Sequence, residues 1–317
     1  MHFYPFTLQS LASERTPLCG CKGIRTCKVC QPNNSLTYES LPQFESTFCS
    51  DCALCYRGSH RCHGTPACGE FTFHGIFVVS NFVTEEEEAW LLDQIDQNPW
   101  ALSQSGRRKQ DYGPKVNFKR QRVVPGRFTG LPSYSRFLVD RINQTIQTSH
   151  LRQTFIPVEL CNLEYCPERG SSIVPHLDDA WLWGDRLVTL NLCSSTTLIF
   201  TLPNPGSPEV LAEFERIRSD LGQQAEIYSS SDVAVRVPLP RRSLVIVDGP
   251  ARYVWHHSIR SADIQSRRIA MTFRELNKQF IPQTGISETE QCSEDQLVGG
   301  KLLQIAQTFR GTVCTAH

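Results

Sequence analysis

The sequence predicts a mainly β, α+β protein built around a double-stranded β-helix, a jelly roll of the cupin type, with flanking helices and a cysteine-rich N-terminal segment. Three observations predict this fold. The second half of the chain alternates short β-prone runs with turns, two amphipathic helical patterns precede that half, and nine of the 14 cysteines lie between Cys19 and Cys68. Many short strands separated by turns are typical of sandwiches and barrels.

Length and charge limit the possible functions. A chain of 317 residues can bury a full core and hold one large domain with appendages. Lysine plus arginine equals aspartate plus glutamate at 32 each, so any attraction to nucleic acid or membrane must be local. No apolar run reaches transmembrane length, and the first residues lack the pattern of a secretory signal. We therefore expect an intracellular protein of the cytoplasm and nucleus.

The N-terminal region divides into residues 1–18, which carry no periodic pattern and are expected to be disordered, and a cysteine-rich segment at 19–70. The first four thiols of that segment belong to Cys19, Cys21, Cys27 and Cys30. In a reducing compartment, clustered thiols favour a metal over disulfides. The closing Cys-x-x-Cys suits zinc, whereas the tight opening Cys-x-Cys leaves unpaired thiols as an equal alternative.

A second cluster follows in the same segment. It contains Cys49, Cys52, Cys55, Cys62 and Cys68, with His60 and His63 between them. Its spacing matches no zinc finger pattern, so the sequence assigns no defined site to it.

Residues 71–153 are expected to form an N-terminal extension with a short strand at 75–79 and two helices. Thr84 with Glu87 matches a capping box at the start of the first helix. The apolar face of this helix would contain Trp90, Leu91 and Ile95, and a second helix at 132–147 would turn Phe137, Leu138 and Ile142 inward.

Between these helices, residues 106–127 contain eight lysines and arginines against one acid, Asp111. Two aromatic residues, Tyr112 and Phe118, are interleaved with them. Local basic charge with exposed aromatic rings predicts contact with a phosphate backbone or an acidic protein surface. A solvated hairpin without a partner is the alternative.

The jelly roll is expected at 154–280 and a C-terminal helix and tail at 281–317. The predicted strands lie at 155–165, 187–192, 197–202, 233–239, 243–247 and 268–274, and the final helix at 298–309. Polar residues 204–231 interrupt the strands and are expected to be a surface insertion.

Two histidines and one aspartate are candidate metal ligands. His176 and Asp178 are two residues apart, so in an extended strand their side chains would leave the same face. A distant histidine would complete the set, and His257 is favoured over its neighbour His256. Two histidines with one carboxylate form the facial triad of non-haem Fe(II) oxygenases, although an isolated His-x-Asp is often only a polar turn.

Two arginines follow the candidate ligands on one predicted strand. Arg268 and Arg274 are six residues apart, with Thr272 between them, so they would lie on one face. A guanidinium group suits bidentate binding of a carboxylate. An exposed salt bridge on a strand is the alternative for each arginine.

Taken in order, these motifs resemble one family. The series Asn162-x-x-Tyr165-x-Pro167, His-x-Asp, Trp-x-His-x-Ile and Arg-x-x-x-Thr-x-Arg resembles the AlkB family of iron and 2-oxoglutarate dependent dioxygenases. The runs 102–118 and 176–186 are similar to one animal branch of that family. The resemblance covers roughly residues 15–40 and most of 75–310, and its motifs are specific when taken together.

The resemblance implies an activity and a set of roles. Fe(II) would be held by His176, Asp178 and His257, and 2-oxoglutarate by Tyr165, Arg268, Thr272 and Arg274, with Arg268 on the distal carboxylate. Hydroxylation of an N-methyl carbon would release formaldehyde, so the net reaction is demethylation. The region before the jelly roll would supply a lid over the substrate.

The sequence leaves the class of substrate more open than the type of reaction. The resemblance implies a methylated protein lysine, with actin or actomyosin as the target, and also N6-methyladenine in DNA, which would bind through the basic hairpin at 106–127. Ala180 stands where family members that repair DNA have an acid, and Leu163 stands where the family usually has asparagine. Trp181 and Trp183 suit a cage for a methylated ammonium, although core packing explains them equally well. A catalytically silent scaffold and a zinc-dependent nucleic-acid-binding adaptor are the alternatives to an enzyme.

Overall fold

The computed structural model describes residues 19–21, 27, 29–30, 42, 44–58, 60, 62, 70–147, 153–203, 206–222, 227, 229–282 and 292–314. The expected disorder of 1–18, and the residues His63 and Cys68, lie outside this set. The strands are β1 (Phe44–Phe48), β2 (Leu54–Tyr56), β3 (Phe71–Thr72), β4 (Ile76–Val79), β5 (Ala101–Leu102), β6 (Arg108–Tyr112), β7 (Lys115–Asn117), β8 (Arg122–Val124), β9 (Pro157–Tyr165), β10 (Ile173–His176), β11 (Trp183–Leu192), β12 (Thr196–Thr201), β13 (Val233–Leu239), β14 (Ser243–Val247), β15 (His256–Ile259) and β16 (Arg268–Leu276). The α-helices are α1 (Glu85–Asp96), α2 (Arg136–Gln147), α3 (Pro208–Leu221), α4 (Gly249–Tyr253) and α5 (Glu294–Ala306).

Two large sheets form the jelly roll of the described chain. One has the strand order β10-β15-β12-β13-β1-β2-β3 and the other β4-β14-β11-β16-β9-β6-β5, while β7 and β8 form a separate hairpin. Apolar side chains from both sheets, among them Phe200 and Phe273, belong with Trp255, just before β15, to one continuous hydrophobic core. The fold class predicted from the sequence is confirmed.

The β-prone runs of the second half all lie on observed strands: β9, β11, β12, β13, β14 and β16. The largest difference is at β11, which begins at Trp183 rather than at Leu187. Its pairing with β16 shifts register between these two residues. Such a bulge interrupts the alternation of side chains from which a strand is predicted.

The capping box of α1 is present. The Thr84 hydroxyl accepts from the Glu87 amide at 3.1 Å, and the Glu87 carboxylate accepts from the Thr84 amide at 2.9 Å. Leu91 and Ile95 are buried as predicted. Trp90, in contrast, is 46% exposed and makes an edge-to-face ring contact with Phe137 of α2. The prediction that Trp90 belongs to the buried face was therefore wrong, because that face is narrower than the apolar pattern indicates.

Residues 204–231 contain more than a polar surface insertion. Helix α3 lies within them and buries Val210, Phe214, Ile217 and Leu221. The α3 residue Glu213 accepts a hydrogen bond from the indole of Trp255 at 3.3 Å. The many charged residues on the outer face of α3 hide this helical spacing in the sequence.

The final helix, α5, begins at Glu294, after a Ser293 cap whose hydroxyl accepts from the Gln296 amide. It ends at Ala306, three residues before the predicted end. Within the described ranges, no helix combines the length and the hydropathy that crossing a membrane requires.

Candidate active site

His176, Asp178 and His257 come together at one end of the first sheet. Strand β10 ends at His176 and pairs with β15 so that His176 lies directly opposite His257. One ligand atom from each of the three residues lies within 4.8 Å of the others, and His256 is not a member of the group. Asp178 lies in the loop after β10, whereas a strand through both residues was expected.

The ring of His176 is fixed by its backbone. Its Nδ1 lies 2.8 Å from the carbonyl oxygen of Val174, so a proton on Nδ1 can be donated there. The lone pair of Nε2 then faces the carboxylate of Asp178, 3.6 Å away. The His176 and His257 ring centroids are 4.3 Å apart. Two imidazoles, one of them oriented by a backbone carbonyl, and one carboxylate are the donor set that Fe(II) accepts in open-sided sites.

Two arginines hold Asp178 in place. The Nε of Arg274 donates to the Asp178 carboxylate at 2.9 Å, while its Nη1 donates to Glu159 at 2.5 Å. The Nη1 of buried Arg252 donates to the Asp178 carbonyl at 2.9 Å. Burial alone would raise the pKa of Asp178, but Arg274 and the two histidines hold that pKa well below its ordinary value. Asp178 is thus ionised and held in place by two arginines.

Arg268 is almost completely buried, with 1% of its surface exposed. Its Nε donates to the Asn191 side-chain oxygen at 2.6 Å, and its guanidinium lies 4.8 Å from the centroid of the Tyr165 ring. Its Nη1 has no hydrogen-bond partner, and among the described residues no carboxylate pairs with Arg268. Burial lowers the pKa of this arginine. A buried cation with an unused donor favours an anionic partner, and a planar guanidinium suits a carboxylate.

Asn191 and Arg252 were not identified from the sequence. Asn191 donates to the carbonyl oxygens of Ser194 and Pro240, both at 2.9 Å, which leaves its side-chain oxygen directed at Arg268. One signal was present: Thr189 and Asn191 are polar at alternate positions of an apolar strand, so they share a face. Nothing in the local pattern marks Arg252, which is buried by long-range contacts.

The interior face of β9 explains a departure from the family pattern. Tyr165 lies opposite Arg268, and Cys161 lies opposite Thr272, whose hydroxyl is 3.1 Å from that of Thr189. Leu163, on the same face, lines the cavity. Asn162 points to the other face, where its amide donates to Gln110 and to the Tyr134 hydroxyl, both at 2.9 Å. The asparagine shifted by one position therefore supports packing and does not face the cavity.

A cavity of about 520 Å³ opens beside His176 and Asp178. Glu159, Arg274 and Trp183 line it on the barrel side, and Lys115, Phe118 and Arg127 on the hairpin side. Trp181 does not belong to the lining and packs between Phe118 and Phe280 at centroid distances of 6.5 and 6.3 Å. Of the two tryptophans, only Trp183 is placed to touch a molecule in the cavity.

The basic segment is smaller than the predicted range 106–127. Arg107 is buried, Arg108 is paired with Glu164 at 2.5 Å and Lys109 is paired with Asp111. These three charges are therefore used inside the protein and do not form part of an exposed basic surface. The exposed basic side chains lie on and beside the β7–β8 hairpin and are Lys115, Lys119, Arg120, Arg122 and Arg127. The prediction misplaced the N-terminal half of the basic surface because Arg108 and Lys109 lie on β6, inside the second sheet.

The first four cysteines converge. The sulfurs of Cys19 and Cys27 are 3.4 Å apart, as are those of Cys21 and Cys30, and all four lie within 4.8 Å of one another. Zinc bound tetrahedrally at about 2.3 Å from each sulfur would place the sulfurs about 3.8 Å apart. The Ser105 amide donates to the Cys27 sulfur at 3.3 Å. Although burial opposes it, this bond and neighbouring groups lower the pKa of Cys27 to about 6.

The chain is similar along most of its length to curated proteins. It is 43% identical over 309 residues to the human protein named alpha-ketoglutarate-dependent dioxygenase alkB homolog 4, covering 92% of this chain and 94% of that protein. The mouse protein of the same name is 40% identical over 303 residues, with 92% and 95% covered. A Caenorhabditis elegans protein named DNA N6-methyl adenine demethylase is 32% identical over 283 residues, with 83% and 88% covered. No protein-family model matches the chain.

Proposed function

The chain belongs to the AlkB-homologue family of alpha-ketoglutarate-dependent dioxygenases, and we propose that it is an Fe(II)- and 2-oxoglutarate-dependent enzyme that removes N-methyl groups by oxidation. One observation carries this proposal. His176, Asp178 and His257 converge beside a cavity, and buried Arg268 keeps an unpaired donor on the face of β16 that also carries Arg274. When bound, Fe(II) and 2-oxoglutarate would activate O₂ to hydroxylate the methyl carbon. The product would then lose formaldehyde.

The residues divide into two groups by what they would hold. His176, Asp178 and His257 are the iron ligands, and Arg274 keeps the aspartate ionised and oriented. Arg268 would bind the distal carboxylate of 2-oxoglutarate. Tyr165 and Thr272 share its face of the barrel and would contact the co-substrate beside it. The cavity beyond the triad would receive the methylated group against Trp183.

As substrate we propose a methylated lysine of a protein with an acidic surface, and the resemblance implies actin or actomyosin. The exposed basic side chains on and beside the β7–β8 hairpin, of which Lys115 and Arg127 line the cavity, favour a substrate whose surface is anionic around the methylated group. Trp183 and Phe118 supply the aromatic faces that attract a methylated ammonium. Ala180 offers no acid to recognise an extruded base.

N6-methyladenine in DNA is the second candidate. The name of the nematode relative favours it, and the same basic hairpin suits a phosphate backbone. A flipped base would also fit a cavity of about 520 Å³. The two candidates differ in the group that reacts and in how strongly salt should weaken binding.

Formaldehyde release from a methyl-lysine protein and from N6-methyladenine single-stranded DNA should separate these candidates. We expect faster turnover of the protein. The triple variant Lys119→Gln, Arg120→Gln, Arg122→Gln should raise the KM for a macromolecular substrate about tenfold, because three exposed charges are lost from the hairpin region that borders the cavity. A control that removes three exposed charges elsewhere, Arg218→Gln, Lys301→Gln, Arg310→Gln, should leave KM unchanged. Turnover of DNA alone would overturn the order of the two candidates.

We also propose that Cys19, Cys21, Cys27 and Cys30 bind one zinc ion, since four thiolates at this spacing form a closed tetrahedral site. Metal analysis of the purified protein should find zinc that survives mild chelation. The double variant Cys27→Ser, Cys30→Ser should lose one equivalent, whereas Cys166→Ser should lose none. Wild-type protein without zinc would show that these thiols are free.

A further inference from the structure

A second group of metal-binding side chains lies at the end of the β1–β2 hairpin, apart from the candidate active site. One ligand atom from each of Cys49, Cys52, His60 and Cys62 lies within 4.8 Å of the others. The sulfurs of Cys49 and Cys62 are 3.0 Å apart, and the Cys52 sulfur is 3.2 Å from Nε2 of His60. The four atoms thus converge on one point, as the ligands of a single tetrahedral ion do, and zinc would move the close sulfur pair apart to about 3.8 Å.

His60 is oriented as metal-binding histidines are. Its Nδ1 lies 2.7 Å from the carboxylate of Glu70, and the two side chains are only 6% and 8% exposed. A proton held on Nδ1 by this carboxylate leaves the lone pair of Nε2 directed at the cysteines. The ring also stacks on Tyr56, with centroids 4.5 Å apart and planes inclined by 13°. The imidazole is thus fixed in tautomer and in direction.

The hairpin turn presents two of the thiols together. The Cys49 amide donates to the Leu54 carbonyl and the Ala53 amide donates to the Cys49 carbonyl, both at 2.9 Å. Ala53 adopts a left-handed conformation, with φ of 58°, and this closes the turn that carries Cys49 and Cys52. Cys55, the second residue of β2, is completely buried in the hydrophobic core and does not belong to the group. The sequence could not separate ligands from core thiols within this cluster.

We propose that Cys49, Cys52, His60 and Cys62 bind a second structural zinc ion. Three thiolates and one imidazole are ligands that zinc prefers, and a set of four protein ligands leaves no open position for a reaction. An iron–sulfur cluster would spread its cysteines over more than one iron atom, which the close spacing of these four atoms does not favour. Calcium and magnesium prefer oxygen ligands.

This ion would stabilise the side of the first sheet that is formed by β1, β2 and β3. Cys62 lies 13 residues after Cys49, so binding joins the hairpin turn to the segment that leads to β3. Strand β1 pairs with β13, β13 with β12, and β12 with β15, which carries His257. The zinc is therefore a structural clamp three strand pairings from the iron site. Its occupancy does not depend on the proposed activity.

Zinc content of the full-length protein, purified under reducing conditions and mild chelation, tests this assignment. We expect two equivalents of zinc per chain in the wild type and one in the double variant Cys49→Ser, Cys62→Ser. The control Cys292→Ser should still bind two. Glu70→Gln keeps all four ligands and should weaken zinc binding about 10- to 100-fold in chelator competition, the usual cost of losing a carboxylate behind a ligating histidine.

Cobalt substitution in the Cys27→Ser, Cys30→Ser background isolates the second site. It should give the absorption of tetrahedral cobalt with thiolate ligands, and His60→Cys should retain that absorption while His60→Ala weakens it. A wild type with a single zinc that only Cys27→Ser, Cys30→Ser removes would overturn the proposal. So would a Cys49–Cys62 disulfide found by mass spectrometry, or visible absorption of an iron–sulfur cluster in the purified protein.

Discussion

Asp178→Asn is expected to abolish succinate formation from 2-oxoglutarate, with a loss well beyond the 10- to 100-fold that follows from removing a group behind a metal ligand. Asparagine keeps the size of the side chain, and Arg274 keeps its second partner, Glu159, so the loop should remain folded. The anionic donor to the metal is lost. Anaerobic titration of Fe(II) with 2-oxoglutarate should then no longer give the weak absorption band of a chelated keto acid.

The two adjacent histidines provide a matched pair for the same measurement. His257→Ala should be as inactive as Asp178→Asn, because His257 lies opposite His176 in the ladder and belongs to the convergent group. His256→Ala should retain most activity, since His256 lies outside that group. Circular dichroism and thermal unfolding should show that all three variants are folded. Parental rates of succinate release by Asp178→Asn would disprove the iron assignment. If His256→Ala were inactive and His257→Ala active, His256 would replace His257 as the third ligand.

Much of this site follows from local sequence, and the parts that do so have a common physical basis. Residue type and spacing mark His176, Asp178, Arg268 and Arg274 as candidates, and the order of their motifs, which resembles that of the AlkB family, selects them. The capping box of α1 and the six predicted strands, β9, β11 to β14 and β16, are equally local. Each depends on a period of two or 3.6 that neighbouring residues display without help from the rest of the chain.

The parts that escape prediction depend on contacts between distant residues. Arg252 holds the Asp178 loop across 74 positions, and Asn191 directs Arg268 across 77. Asp178 lies in a loop whose shape is fixed by these contacts rather than by strand geometry. The cysteines at 49–62 likewise needed the fold, because only three-dimensional placement separates Cys55 in the core from its neighbours at the surface.

Arg268→Ala should weaken 2-oxoglutarate binding by about 1.5 to 3 kcal/mol, the range for a hydrogen bond to a charged group, which is roughly a 10- to 150-fold higher dissociation constant. The unpaired Nη1 and the absence of an acidic partner among the described residues support this size of effect, since the guanidinium is held ready for an anion. Arg268→Lys should recover only part of the loss, because an ammonium group cannot bind a carboxylate through two parallel bonds.

The neighbouring Arg267 supplies the control for this prediction. Its side chain forms ion pairs with Asp96 and Glu164 on the outer face of the sheet and does not line the cavity. Arg267→Ala should leave the dissociation constant of 2-oxoglutarate unchanged, and Asn191→Ala should raise it by a smaller factor than Arg268→Ala because the guanidinium loses only its orientation. If calorimetry finds the same affinity for Arg268→Ala and the wild type, the carboxylate is bound elsewhere. Arg274, which is partly buried and already engaged by Asp178 and Glu159, would then be the remaining guanidinium on that face of β16 able to bind it.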